Sequence, residues 1–399
     1  MVVAAAAATT QQLLDCALKL SVAGFTVVSL SCDGASENRR VAKSLCDVSA
    51  KELIDPDLLR AAAEGVVREA RKALPQTEET TKETLEEIAK LAAAFGDILI
   101  GWRHRCGLEE RVIIWVPDMP HVLKKVANSL ELRDAMELDG QPVRMRLLYD
   151  VFKATHFDST GTPTLKSTKL TEKHFHKNPL TRMNVRLAAQ VLSNTMFELC
   201  TTTLARVRPD MHKRLAPIMG PTLWLVRTMN RVTDIMNSSV QKEGVHLINS
   251  AAHPCVLELL SASAGVLRWK LQSTEDDDCS RPAGWLAKEA GNDTVLLGLA
   301  VAAVARLHAS ATCRLILRRL DQDPCEHHFA NVRQLGGHGG VDVAVAKRAQ
   351  MVGQAMRMSR GAKTNGAGAP KDEATPRLLF DIRDYMPLPE DRRRESLRV

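Results

Sequence analysis

Residues 25–40 read FTVVSLSCDGASENRR, a β-branched apolar run that ends on Asp33 and Gly34 and then turns polar. The run 25–32 predicts a strand of a parallel sheet, because a strand covered on both faces needs near-continuous apolar side chains. A carboxylate at the carboxyl end of such a strand sits where open α/β sheets place their sites. Just upstream, residues 10–23 carry Leu13, Leu14, Ala17, Leu18 and Val22 at helical spacing, with Gly24 as the stop. A helix therefore feeds a strand that delivers Asp33.

Outward from this unit the pattern repeats once. Residues 111–116, RVIIWV, form a second apolar strand ending near Asp118, and the spacing predicts a helix over 121–130. Between the two strands, Asp55 and Pro56 make an N-cap and first helical position for a helix running to Pro75. Residues 81–95 follow as a second helix, with Leu85, Ile88, Leu91, Ala92 and Phe95 on one face and Glu83, Glu86 and Glu87 early in it. Residues 40–100 thus read as a helical hairpin. From 136 to about 305 the period is helical, with turn signals at Pro179, Pro209, Pro217, Pro221 and Pro254.

The last informative block is RRLDQDPCEHHFANVRQLGGHGG at 318–340. Beyond Gly361 the composition is that of a linker, and residues 347–399 hold 12 Lys+Arg against 7 Asp+Glu, which predicts a basic, mostly disordered tail.

The chain has 399 residues, 45% of them hydrophobic, enough for two or three domains with ordinary cores. A net charge of +7 is too small to name a partner, and 4% aromatic content leaves little material for stacking on bases. Any DNA contact is expected to go to phosphates. Nine cysteines without a C-x-x-C pair argue against a zinc or disulfide framework and for a reducing compartment. The longest apolar run, residues 295–305, spans 11 positions, short of a membrane crossing, and the start MVVAAAAATTQQ lacks a basic leader region. The expectation is a nuclear or cytoplasmic protein, neither membrane-bound nor secreted.

Three distant blocks put acids at element boundaries: CDGASENRR at 32–40, VPDMPHVLKKVAN at 116–128 and DQDPCEHHF at 321–329. Singly, each has a plain reading, since Asp-Gly marks a turn and an Asp shortly before Pro marks a helix start. Jointly, strand-end carboxylates suit two-metal phosphoryl transfer, in which hard divalent ions take oxygen ligands at an open edge.

These blocks resemble the P-element transposases and their THAP-domain-containing relatives. The strand with CDGASENRR is similar to the family's strand ending in its second catalytic aspartate. VPDMPHVLKKVANSL resembles its D-x-P-H-x-x-K-x-x-x-N block. KLTEKHFHKNPLTRMNVRLAAQVLS, at 169–193, is similar to its LT-x-x-H followed by M-x-V-x-x-A-x-Q-x-x-S. NRVTDIMNS, at 230–238, resembles N-x-x-x-D-x-x-N. DQDPCEHHFANVR resembles the final block, with Asp321 in place of an Asn.

The resemblance implies an α/β plus α chain: an incomplete RNase H-like fold interrupted by a large, mostly helical insertion. Its parts would be 1–120 as the first RNase H-like portion, 121–317 as a GTP-binding insertion, 318–345 as the second portion, and 346–399 as the tail. Asp33 and Glu326 fall on catalytic, metal-holding acids for Mg²⁺, while Lys124, Asp234, Asn237 and Asp323 fall on positions implied to contact GTP. A lysine suits phosphate, and Asp and Asn can read a guanine edge or help hold a metal. Asp234 and Asn237 also fit a simple polar helix face, and no G-x-x-x-x-G-K-[ST] loop derives nucleotide binding independently. The implied partners are DNA, GTP and a second copy of the chain.

The departures shape the functional expectation. One helix alone precedes the Asp33 strand, so the family's first catalytic aspartate and its C2CH zinc finger are expected to be missing, and DNA cleavage with them. Asp15 reads as a helix-face residue instead. His174 and His176 read as loop and cap residues rather than zinc ligands, and His327 and His328 as helix face. The alternative function is a helical interaction protein, or a domesticated module that binds nucleotide or DNA.

Overall fold

The computed structural model describes residues 2–320 apart from 34, 35, 73, 74, 76, 107, 108, 133–135, 157–167, 239–247, 274–287, 311, 312 and 314. The chain divides into two units, 1–321 and 322–399, and every described residue lies in the first. Asp323, Glu326, the His327–His328 pair and the basic tail fall outside the described residues.

The chain opens with α1 (Val2–Val22), which stops where Gly24 takes φ +87°, a left-handed conformation that costs glycine nothing. Next come β1 (Ser29–Cys32) and α2 (Ser36–Leu45). The strand is shorter than the 25–32 run: residues 25–28 lie outside it, although the Val28 carbonyl accepts from Ile114 N. β2 (Val48–Ser49), α3 (Ala50–Leu53), α4 (Pro56–Arg71) and α5 (Glu78–Gly96) follow. Asp55 caps α4 by accepting from Asp57 N at 2.9 Å, and Pro56 opens it, as the sequence predicts.

The expectation of helix alone over 40–100 needs correction at both ends. β2 and β3 (Leu99–Cys106) pair antiparallel, and β3 returns through a hairpin into β4 (Glu109–Pro117). The arginines of β3 hide the strand from a hydrophobicity reading. Arg103 and Arg105 face outward while Trp102 and His104 are buried, a period of two that a polar outer face conceals.

The sheet order is β1-β4-β3-β2, with β1 parallel to β4 and the rest antiparallel. β4 is buried on both faces. Ile113 and Trp115 join a small core with Ala17 of α1 and Val41 of α2, whereas Ile114 and Val116 join the main core. That is why VIIWV is continuously apolar.

After β4 come α6 (Met119–Leu132), the hairpin β5 (Glu137–Leu138) and β6 (Gln141–Pro142), and α7 (Met145–His156). The hairpin turns on Asp139 (φ 53°) and Gly140 (φ 70°), an Asp-Gly pair suited to a two-residue turn. Then follow α8 (Pro179–Arg182), α9 (Val185–Val191), α10 (Asn194–Arg206), α11 (Pro209–Met236), α12 (Pro254–Ser273) and α13 (Lys288–His308).

Pro217 and Pro221 are not turns; both lie inside α11. Pro217 and Gly220 are exposed, while Met219, Thr222, Leu223 and Val226 are buried. The helix tolerates the lost N–H groups because its apolar face is fixed by packing and its solvent side is free to bend.

α12 and α13 pack closely on each other, and α13 also lies against β3, β4 and α6. Among the described residues, Glu289–His308 is long and apolar enough to cross a membrane by composition. In this fold 78% of that stretch is buried against α12 and the sheet, the environment of a core helix.

Candidate functional site

Asp33 follows β1 and Asp118 follows β4, and the two strands are in parallel register with Cys32 opposite Pro117. The Asp118 N–H donates to the Cys32 carbonyl at 2.8 Å, so both acids leave one edge of the sheet together. Their side chains have different occupations. Asp33 Oδ1 accepts from Asn38 Nδ2 at 2.7 Å, which ties the strand end to α2. Asp118, 2% exposed, meets His121 Nδ1 at 2.5 Å and also caps the start of α6.

Among the described residues no three His, Cys, Asp or Glu side chains are gathered to hold a metal ion. The donor set around Asp33 therefore does not fit Mg²⁺ within the described residues. Glu326, the other acid implied by the resemblance, lies outside them.

The block at 169–193 is largely architectural. Thr171 and His174 form a capping box, and His174 Nε2 meets Gln190 Oε1 at 2.8 Å, joining the motif's two halves. His176 packs edge-on against Tyr149, with its ring 4.7 Å away. Both histidines thus serve the cap and loop, as their sequence context predicts.

A polar stripe runs along α6, since Lys124, Asn128 and Glu131 are spaced i, i+4, i+7 on one face. The segment 177–182 lies against it. Glu131 Oε1 accepts from the backbone N–H of Lys177 at 2.9 Å, Asn128 Oδ1 accepts from Lys177 Nζ at 3.4 Å, and Asn128 Nδ2 donates to the Arg182 carbonyl at 3.3 Å. Arg182 Nη2 stands 3.8 Å from Glu131 Oε1. Lys124 is itself buried. Burial lowers the Lys177 ammonium below the usual lysine range, with Glu131 opposing that shift and Arg182 adding to it.

Asp234 and Asn237 sit exposed at the carboxyl end of α11. Asn230 Nδ2 donates to Asp234 Oδ2 at 2.9 Å, and Asn230 Oδ1 accepts from Asn194 N at 2.8 Å, where α10 begins. The carboxylate is thereby tied to the junction of α9 and α10. Sequence reasoning missed Asn128, Glu131, Lys177, Arg182 and Asn230. All lie inside the quoted blocks or beside one, and nothing in their spacing alone separates them from a solvated helix face.

Comparison with known proteins bears on this region. Residues 120–245 match the family described as TNP-like, GTP-binding insertion domain. That segment begins with the second residue of α6 and takes in both polar clusters. None of the curated proteins matches the chain. Among solved structures, a chain of the Drosophila P element transposase strand transfer complex is similar, with a TM-score of 0.57 at 16% identity over 85% of this chain. The match spans 63% of that chain's length.

The fold these findings define is a mixed α/β one, mostly helical with a small sheet, of the kind seen in a transposase. What this chain shares with the P-element-type transposases is the insertion-domain match over residues 120–245 and a similar fold.

Proposed function

We infer that this chain is a P-element-like transposase derivative that binds GTP through its helical region and lacks DNA-cleaving activity. The observation that carries the reading is the match of residues 120–245 to a GTP-binding insertion domain, which starts two residues after the strand-end acid Asp118. In this reading 1–120 and 318–345 are the split portions of an incomplete RNase H-like fold, and 121–317 is the insertion.

Asp234 and Asn237 read the guanine. Guanine offers N–H donors on its Watson–Crick edge where a carboxylate can accept them, and adenine does not offer the same pair. Asn230 supports this role by holding one Asp234 oxygen in place. Lys124 contributes positive charge towards the phosphates from α6. DNA, nuclear localisation and self-association belong to the same proposal, as properties of a transposase descendant.

Catalysis is not part of it. Asp33 is engaged by Asn38, and its strand-edge neighbour Asp118 is engaged by His121. The test is ligand-dependent melting of the full chain. A nucleotide that binds only the native state raises Tm, by an amount set by its concentration relative to Kd. GTP should raise Tm more than ATP at equal concentration. Equal or absent shifts would overturn the reading.

A further inference from the structure

Two buried side-chain atoms in one place among the described residues lack any hydrogen-bond partner: Glu131 Oε2 and Arg182 Nε. Between them lies Lys177, 7% exposed, whose three ammonium protons are met among the described residues by Asn128 Oδ1 alone, at 3.4 Å. Native proteins pair nearly all buried polar atoms, so such a concentration marks a place built for something that brings the missing partners. The unspent groups are mostly donors, on two cations, with one acceptor beside them.

We propose that Lys177 and Arg182 form the phosphate subsite for the nucleotide bound by this domain. The inference rests on the GTP-binding reading and deepens it. A phosphate supplies the acceptor oxygens that the ammonium and the guanidinium lack, and charge-assisted bonds of this kind are the strong ones. The sugar's hydroxyl supplies the donor for Glu131 Oε2, which a bare phosphate cannot. Glu131 and Asn128 act as positioning residues: Glu131 fixes the Lys177 backbone, and Asn128 binds both the Lys177 ammonium and the Arg182 carbonyl.

Geometry links this subsite to the guanine-reading acid. Arg182 lies just before the amino end of α9, and Asn194, bonded to the Asn230 that holds Asp234, lies just after its carboxyl end. A seven-residue helix is about 10 Å long. That length suits one nucleotide laid along α9, with base and phosphates at opposite ends. The Arg182 side chain, 35% exposed, is the solvent-facing side of the cluster, whereas Lys177 is too deeply buried for a duplex backbone to reach. A nucleotide is therefore favoured over DNA phosphate.

The experiment is a competition titration on the full chain, with a fluorescent GTP as probe and GTP, guanosine and inorganic tripolyphosphate as competitors. Arg182→Gln and Lys177→Gln should each weaken GTP by roughly tenfold, the scale of one charge-assisted bond, and leave guanosine unchanged. Arg182→Lys should recover part of the loss. Tripolyphosphate should compete far more weakly than GTP in the native protein. Arg182 is partly exposed, so its variant keeps the test valid if Lys177→Gln unfolds. Native binding of GTP that neither variant weakens would overturn the phosphate subsite and leave the GTP reading standing. No GTP binding by the native chain would overturn both. Tripolyphosphate competing as well as GTP would contradict a nucleotide ligand.

Discussion

Asp33 and Asp118 leave adjacent parallel strands at one level, joined by the 2.8 Å bond from Asp118 N to Cys32 O, yet their carboxylates serve different partners. Asp33 is held by Asn38 and Asp118 by His121. The edge has the topology of an acid-lined site, and among the described residues it lacks the gathered donor set that two divalent ions need. Purified protein should therefore not nick or join DNA in Mg²⁺ or Mn²⁺. Metal-dependent nicking that Asp33→Asn abolishes would refute this.

The Asp118–His121 pair is instead a stability element. Asp118→Ala removes a buried acceptor for the half-buried His121 imidazole and for the first turn of α6, and should cost about 1–3 kcal/mol. Urea denaturation at pH 7 reads it, and a change within error would show that the pair contributes nothing.

Much of the α/β framework was legible in the sequence. The Asp55–Pro56 start, the RVIIWV strand and the Gly24 stop were all visible because each rests on local chemistry: a cap, a two-sided apolar run, a left-handed glycine. β3 was not legible, since Arg103 and Arg105 gave it a polar face, and Pro217 and Pro221 misled because tertiary packing of α11 overrode a local helix breaker. The site was legible only as motifs. That Asn128 touches Lys177 and Arg182, some 50 positions away, is a product of packing that spacing alone does not contain.

Asp293 should give a measurable pH signature. Burial raises its carboxyl above the ordinary value of 3.8; Lys125, bonded at 2.7 Å, and Arg39 lower it only in part, and Glu289 raises it further. A raised folded pKa means its stabilisation is fully present below the unfolded pKa and is lost as pH rises through the folded one. Asp293→Asn should therefore lose less stability than the native chain between about pH 4 and the upper end of the carboxylate range. Denaturation midpoints measured across that window decide it, and identical slopes would contradict the assignment.

Two glycine substitutions should act in opposite directions. A Cβ on Gly298 would lie 2.6 Å from the Leu259 carbonyl oxygen, and closer still to Ser263 Oγ, where α13 crosses α12. Gly298→Ala should cost about 1–3 kcal/mol through overpacking. A Cβ on Gly65, within α4, meets nothing within 4 Å. Gly65→Ala should stabilise by about 0.5–1 kcal/mol through helix propensity. Thermal melts of both variants test the packing of the two helices.

Arg268 binds Glu87 of α5 at 2.7 Å and Asp139 of the β5–β6 turn at 2.9 Å, and Glu87 is shared with Arg71. With Trp269 Nε1 donating to the Glu137 carbonyl, α12 ties the helical hairpin of α4 and α5 to the turn after α6. Arg268→Ala removes a buried guanidinium from a half-buried Glu87 and an exposed Asp139 and should cost about 1–3 kcal/mol, with Arg268→Met costing less because it keeps the packing. Equal losses in the two variants would assign the role to the ion pairs alone, and no loss in Arg268→Met would assign it to packing.

The central claim, that the 120–245 region reads a guanine nucleotide, is tested most directly by equilibrium competition of GTP and ATP for a fluorescent GTP on the native chain and on Asp234→Ala. The native protein should prefer GTP, because a site built to bond a base edge rejects an analogue that leaves its polar groups unpaired. Asp234→Ala should erase that preference while keeping the salt dependence that comes from phosphate charge. Equal affinity for GTP and ATP in the native chain, unchanged in Asp234→Ala, would contradict the account.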